Sequence, residues 1–394
     1  FQVNSWKATS ADILISDETD RTIDARASLF CPSINVTAPL IDVGFGMPHE
    51  VKALNQSLEG TVALMSSGYE PFTLPESLTL RLERLSRLGV VGCITPHATG
   101  GRHTAHGHAS DWRDHNPNDV PLPLIHTSRE DGALLMRRAA AGASVTVHVD
   151  SKQLKETSSN VIGDLTGKNW PDEWIILGAH HDTTVDSPGA NDNASGCTVV
   201  LETARLLARL QQEYNISPGR SIRFATFGSE EQGLQGSTAF VKKHYGNDPI
   251  PRLMINLDEL ATGAMKGVAL QFPELRPLIQ RELDAMNEGL TCHVMSQMDS
   301  SGDMFPFALR GIQSGMLWRW RFVGRHPDAG FGHSSSDTLD KVRTRELKEY
   351  AGLLARLLLR VSHTTPDQWP EKSLDIDEIA ARTASERGSA ARTM

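Results

Sequence analysis

Residues 173–212 read "EWIILGAHHDTTVDSPGANDNASGCTVVLETARLLARLQQ". Three textures follow one another. Trp174–Leu177 is an unbroken apolar run ending at a glycine, which predicts a buried strand over 173–180. Residues 181–193 are polar and broken by Pro188 and Gly189, which predicts a turn. From Ala194 the apolar residues recur at helical spacing, which predicts a helix over 194–212. Strand, polar turn and covering helix are the repeating unit of a parallel, helix-covered α/β sheet.

The unit recurs downstream. "SIRFATFG" (221–228) predicts a strand and "GLQGSTAFVKKHY" (233–245) a helix. "RLMINLD" (252–258) predicts another strand and "PELRPLIQRELDAMNEGL" (273–290) another helix. "TRELKEYAGLLARLLLRVS" (344–362) is a last, strongly periodic helix. The expected fold class is α/β, with a mostly parallel central sheet flanked by helices. In such sheets, ligands bind beyond the carboxyl ends of the strands.

Those ends carry the chemistry. The first strand ends in His180, His181 and Asp182, the second in Glu230 and Glu231, and the third in Asp258 and Glu259. "FGHSSSD" later adds His333 and Asp337. Any one of these is unremarkable as a polar strand end, but four such clusters at one edge of one sheet argue for a site. Carboxylates gathered together repel and need compensation, which a pair of divalent cations supplies. Imidazole and carboxylate without thiolate suit zinc, with manganese or cobalt as substitutes. There is no H-E-x-x-H, so a helix-borne metalloprotease site is excluded.

Strand alternation refines the first cluster. His180 and His181 point to opposite faces, while His180 and Asp182 share a side. His180 is thus the better ligand, and Asp182 the carboxylate that orients its ring. Asp192, in a glycine-framed turn ahead of the helix, returns to the same edge and can bridge two metals.

At these residues the chain resembles the di-zinc aminopeptidases and glutamate carboxypeptidases, a family that includes the transferrin receptor. "GAHHD…PGANDNASG", "FGSEEQGLQGS", "INLDE" and "GHSSSDTLDKV" carry the resemblance, in the family's order, over residues 150–362. The last motif is most similar to the plasma glutamate carboxypeptidase (carboxypeptidase Q) branch. The resemblance implies two zinc ions per chain. One would be held by His180, Asp192 and Asp258, the other by Asp192, Glu231 and His333. It implies Glu230 as general base, an acidic residue near the ligands at Asp303, and a cis peptide after Asp192. Asp337 is expected either to orient His333 or to cap the next turn.

The implied reaction is hydrolysis of a terminal peptide bond of small peptides. The alternative is a metal-dependent amidohydrolase or carboxypeptidase acting on N-acyl amino acids or other small carboxylate-bearing amides. A receptor-like binding protein without catalysis would have lost ligands, and none of the five is missing. "MLWRWRFVGRHPDAGFGHS" bears on the alternative, because Arg319, Arg321 or Arg325 could hold a substrate carboxylate. An exposed strand face or an interface is the competing reading of the three arginines, and the preferred one.

The remaining sequence sets the frame. A chain of 394 residues is long for one core. Residues 38–148 contain their own strands and helices, such as "ESLTLRLERLSRLGVVGCIT" and "LPLIHTSREDGALLMRRAAAGASVTVHV". They resemble the protease-associated insert of some family members, a smaller inserted α/β domain. The expected layout is 1–37 as the N-terminal part of the catalytic domain, 38–148 as the insert, 149–364 as the catalytic domain, and 365–394 as a polar tail. The histidine-rich stretch 97–115 (His97, His103, His106, His108, His115) reads as a solvated loop. A net charge of −9 argues against nucleic acid. No run of about 18 apolar residues occurs, so no membrane span is expected. Four scattered cysteines give neither a disulfide framework nor a thiolate metal site. No signal-peptide pattern is visible, and the chain reads as soluble, cytoplasmic or secreted, with a homodimer left open.

Overall fold

Strand pairing divides the chain near residue 158. The computed structural model describes residues 1–394 except 17–20, 69–75, 109–119, 248, 262, 264, 290–291, 320–330, 371–374, 376 and 382–394.

The first unit holds β1 (Gln2–Ser16), β2 (Arg21–Asp24), β3 (Arg26–Ala27), β4 (Ile34–Asp42), β5 (Val62–Leu64), β6 (Gly92–Pro96), β7 (Leu124–Thr127) and β8 (Ser144–Thr157). They form one eight-stranded sheet in the order β2-β1-β8-β4-β5-β6-β7-β3. Its helices are α1 (Pro48–Ala53), α2 (Leu78–Arg87) and α3 (Arg129–Ala140). Ser77 and Ser128 cap α2 and α3, their hydroxyls accepting from Leu80 N–H and Asp131 N–H. Residues 1–37, expected as the N-terminal part of the catalytic domain, place their strands in this first sheet. β1 pairs along its length with β8, and β4 pairs with β8 and β5, so these strands complete the first unit.

The second unit holds β9 (Val161–Leu165), β10 (Trp170–His180), β11 (Arg220–Phe227), β12 (Leu253–Asn256), β13 (Met265–Leu270), β14 (His293–Ser296) and β15 (Ser314–Arg319). Their order is β14-β13-β15-β12-β10-β11-β9. The fold is α/β, and its sheet is mixed. β11, β10, β12 and β15 run parallel, while β9 lies antiparallel to β11 and β13 to β15.

Alternation along β10 explains the layering. Ile175, Leu177 and Ala179 bury against α4 (Gly196–Tyr214), α6 (Arg276–Ala285) and α8 (Thr344–Ser362). Ile176 points to the other face, into the cluster of α5 (Gln235–Tyr245) and α7 (Met304–Leu309). α8 buries Leu347, Tyr350, Ala351, Leu354, Leu358 and Val361, the helical stripe legible in its sequence. Each such large apolar side chain contributes about 1.5–3 kcal/mol on burial.

The tail is not wholly detached. Trp369 is buried, and the buried Arg220 guanidinium lies between the Trp170 and Trp369 rings, 4.5 and 4.9 Å from their centroids. Ile379 packs with Phe272 and Ala308. Among the described residues, no helix is long and apolar enough to cross a membrane.

Several contacts join the units, among them the Arg26–Asp186 ion pair at 3.5 Å. Gln235, at the start of α5, donates to Asn4 O and accepts from Asn4 N–H at 2.7 and 2.8 Å. Near the carboxyl edge of the second sheet, the backbone of His106 donates to His333 O at 3.0 Å.

Candidate metal centre

Parallel register brings three strand ends to one edge. His180 stands beside Phe227, and Gly178 beside Asn256. Beyond β11 come Glu230 and Glu231, beyond β12 Asp258, and beyond β10 the turn carrying Asp192. His333 reaches in from the loop that precedes α8.

The carboxylate of Asp192 lies between two imidazoles. His180 Nε2 is 3.2 Å from Asp192 Oδ1, and His333 Nε2 is 3.1 Å from Asp192 Oδ2. His180 Nε2 is also 3.2 Å from Asp258 Oδ1 and 3.9 Å from Glu230 Oε2. His333 Nε2 is 3.1 Å from Glu231 Oε2. Each ring is held through its other nitrogen: His180 Nδ1 lies 3.0 Å from Asp182 O, and His333 Nδ1 lies 3.1 Å from His106 O. A carbonyl can only accept, so each Nδ1 carries hydrogen and each Nε2 is left as the donor atom for a cation. His181 points elsewhere and meets Thr226 Oγ1 at 3.1 Å.

Short polar side chains set this arrangement. Asp182 accepts from Glu230 N–H at 3.0 Å and Glu231 N–H at 3.2 Å, fixing the peptide between the two glutamates. Its carboxylate stands 3.7 Å from His180 Nδ1, so its main-chain carbonyl, not its side chain, orients the ring. Asp337 likewise holds backbone, accepting from Asn191 N–H at 2.8 Å and Asp192 N–H at 3.0 Å. It thus fixes the Asp192 turn, which neither of the roles expected for it describes. Asn193 donates to Leu257 O at 2.8 Å and accepts from Gly196 N–H at 3.0 Å. Asn191 and Ser195 accept from Ala261 N–H at 3.0 Å and Leu260 N–H at 2.7 Å. These bonds tie the Asp192 turn to the Asp258 loop. The Asp192–Asn193 peptide is cis. Ser229, Glu259 and His333 have φ of 60, 49 and 58°. That left-handed conformation is costly for residues with a side chain and clusters at functional sites.

Burial and charge act together here. Burial alone would lower the pKa of His180, but the Glu230 and Asp258 carboxylates outweigh it and raise it well above the ordinary value. Glu231 and Asp192 do the same for His333. Burial would raise the Asp192 carboxyl, yet its two imidazole partners hold it well below the usual range. Burial pushes Glu230 well above the carboxylate range and Glu231 up to about 7. Carboxylates outnumber the imidazoles in a dry space, which is the environment a divalent cation neutralises. Glu231 Oε1 is buried with no hydrogen-bond partner among the described residues. Ligand atoms of His180, Asp192 and Asp258 all lie within 4.8 Å of one another. The residues present therefore fit a divalent metal ion.

Residues 160–358, half of the chain, match Peptidase family M28. The chain belongs to peptidase family M28. A probable leucine aminopeptidase 2 of Aspergillus oryzae is 28% identical over 330 residues, which cover 80% of this chain and 62% of that protein. The chain thus spans less than two-thirds of that relative's length. Among solved structures, a peptidase M28 precursor from Shewanella amazonensis superposes with a TM-score of 0.74 at 19% identity, covering 94% of this chain and 85% of that one. A zinc aminopeptidase from Bacillus subtilis gives 0.64 at 21% identity, covering 91% and 84%. At these identities the structural likeness speaks for the M28 fold alone.

Several expectations are changed within this family frame. The histidine-rich stretch does not read as a solvated loop where it is described. His103 Nδ1 meets Ser336 Oγ at 2.8 Å, and its ring packs edge-on to Phe331 with centroids 5.2 Å apart. His106 is buried, and its Nδ1 lies 3.1 Å from Ala27 O. His108 lies edge-on to His333, with centroids 5.8 Å apart. Burial pushes His108 down to about 3. His115, Arg321 and Arg325 lie outside the described residues, as does the side chain of Arg319, whose backbone closes β15. Asp303 is wholly buried at the start of α7, and burial pushes its carboxyl up to about 7. Sequence reasoning missed Asn191, Asn193, Ser195 and His106. The cluster of Asn and Ser around Asp192 was the available signal, since such side chains bond nearby backbone.

Proposed function

We propose that this chain is a zinc-dependent exopeptidase that removes a terminal residue from small peptides. The observation that carries the reading is the carboxylate of Asp192, each of whose oxygens faces a separate imidazole Nε2 at 3.2 and 3.1 Å. In this reading His180, Asp192 and Asp258 hold one zinc ion, and Asp192, Glu231 and His333 the other. Bound there, the ions would lower the pKa of the attacking water and polarise the scissile carbonyl. Glu230, buried with its Oε2 3.9 Å from His180 Nε2, takes the water's proton and delivers it to the leaving amine. Asp182 aims Glu230 and Glu231 through their N–H groups, and Asp337 aims Asp192.

The names of the matched relatives favour an aminopeptidase. The carboxypeptidase Q resemblance, with Arg319, Arg321 or Arg325 as carboxylate holder, is the alternative. The first unit then acts as a protease-associated-like wall over the site. The test is metal analysis with a panel of aminoacyl-anilides, dipeptides, N-acyl amino acids and peptides ending in Glu or Asp. The expected result is about two zinc ions per chain and turnover of substrates with a free amino end. Fewer than one ion per chain, in protein purified without chelator, overturns the proposal. Turnover confined to carboxylate-ended substrates, lost on Arg→Ala exchange, moves it to the alternative.

A further inference from the structure

We propose that His108, carried by the first unit, is an additional protein ligand at the metal position built by Glu231 and His333. This rests on the di-metal reading above and adds a donor that the five-ligand set does not contain. One ligand atom from each of His108, Glu231 and His333 lies within 4.8 Å of the other two. That spacing is of the order spanned by donors around a single zinc ion at about 2.0–2.3 Å from each.

The segment His106–His108 is held by contacts to both units. Leu29 N–H donates to Gly107 O at 2.9 Å, and Leu29 and His108 form an isolated parallel bridge. Two residues earlier, His106 exchanges bonds with His333: its N–H donates to His333 O at 3.0 Å, and its carbonyl accepts from His333 Nδ1 at 3.1 Å. Gly107 between them leaves room for a ring, since a Cβ there would stand 2.8 Å from His126 Nε2. The segment His106–His108 thus touches the same metal position twice. The carbonyl of His106 sets the tautomer of His333, and the ring of His108 stands beside it. With the bridging Asp192, this position has four protein donors, whereas the His180 position has three. Coordination by His108 would make metal occupancy at one position depend on how the two units dock.

The test is metal titration of full-length wild-type and His108→Ala protein against a chromophoric chelator. Cobalt substitution reports the visible ligand-field spectrum alongside. Expected is one of two binding events weakened by about tenfold or more, with a changed cobalt spectrum. The other event keeps its wild-type affinity and so reports an intact fold. Added imidazole restores the weakened event. Two binding events with wild-type affinities and an unchanged cobalt spectrum in His108→Ala overturn this inference and leave the di-metal reading standing. Absence of metal binding by the wild type overturns that reading instead. His108→Asn serves if the alanine variant does not fold, and its expected and overturning outcomes are the same.

Discussion

The two imidazoles of the candidate centre are held in different ways. His180 ends a central strand, its side chain is 1% exposed, and its Nδ1 is secured by a carbonyl two residues away. His333 sits on a loop with left-handed backbone, its side chain is 29% exposed, and its Nδ1 is secured by a carbonyl of the other unit. One half of the site is complete within its own sheet. The other is assembled by docking. Two positions with nearly the same donor chemistry can therefore differ in how firmly they are kept.

The largest effect should come from removing what the halves share. Asp192→Ala is expected to abolish metal retention at both positions and activity with it, read by metal content after dialysis. Retention of a full equivalent would show that the His180 half does not need the shared carboxylate. Glu230→Gln should keep both ions while kcat falls about 10²- to 10⁴-fold. If metal content falls as well, Glu230 is acting as a ligand.

Proton linkage offers a third handle. In the metal-free protein His180, His333, Glu230 and Glu231 all have raised pKa values, so these four groups bind more protons in the folded state than in the unfolded one, against the opposite contribution of the buried His106, His108 and His126. Stability from these groups is present at low pH. It is lost as pH rises, through about 7 for Glu231 and above the ordinary histidine range for the two imidazoles. The metal-free protein should therefore melt at a lower temperature at pH 9 than at pH 6. Zinc uptake must displace these protons, so its affinity should rise over the same interval. Melting curves and zinc titrations in matched buffers would check both signs.

The smallest effect separates the halves most cleanly. His103→Ala removes one hydrogen bond, to Ser336, and one ring contact, to Phe331, both beside His333. A net loss of about 1 kcal/mol corresponds to roughly fivefold weaker binding at one position. The His180 half should not change, and an equal loss at both positions would contradict the division.

Much of this was legible in the sequence, for local reasons. The apolar run Trp174–Leu177 and the stripe of α8 declared strand and helix, and alternation separated His180 from His181. Pairing across long sequence distances was not legible. Val3 pairs with Glu156, and no periodicity in residues 1–37 says which sheet they join. The same limit hid the docking of His106 on His333, which are 227 residues apart. Asp182 and Asp337 stood out as acidic residues near ligands. What their oxygens accept depends on backbone N–H groups converging from other loops, and spacing does not reveal that.

The His106 carbonyl also bears on how far the molecule can be trimmed. A fragment starting at residue 158 would retain the second sheet, Asp192 and the whole setting of His180. It would lose the group that decides which nitrogen of His333 carries hydrogen, and that ring would be free to swivel and to exchange tautomers. The seam drawn by strand pairing is therefore a poor place to cut, because the candidate site is stitched across it.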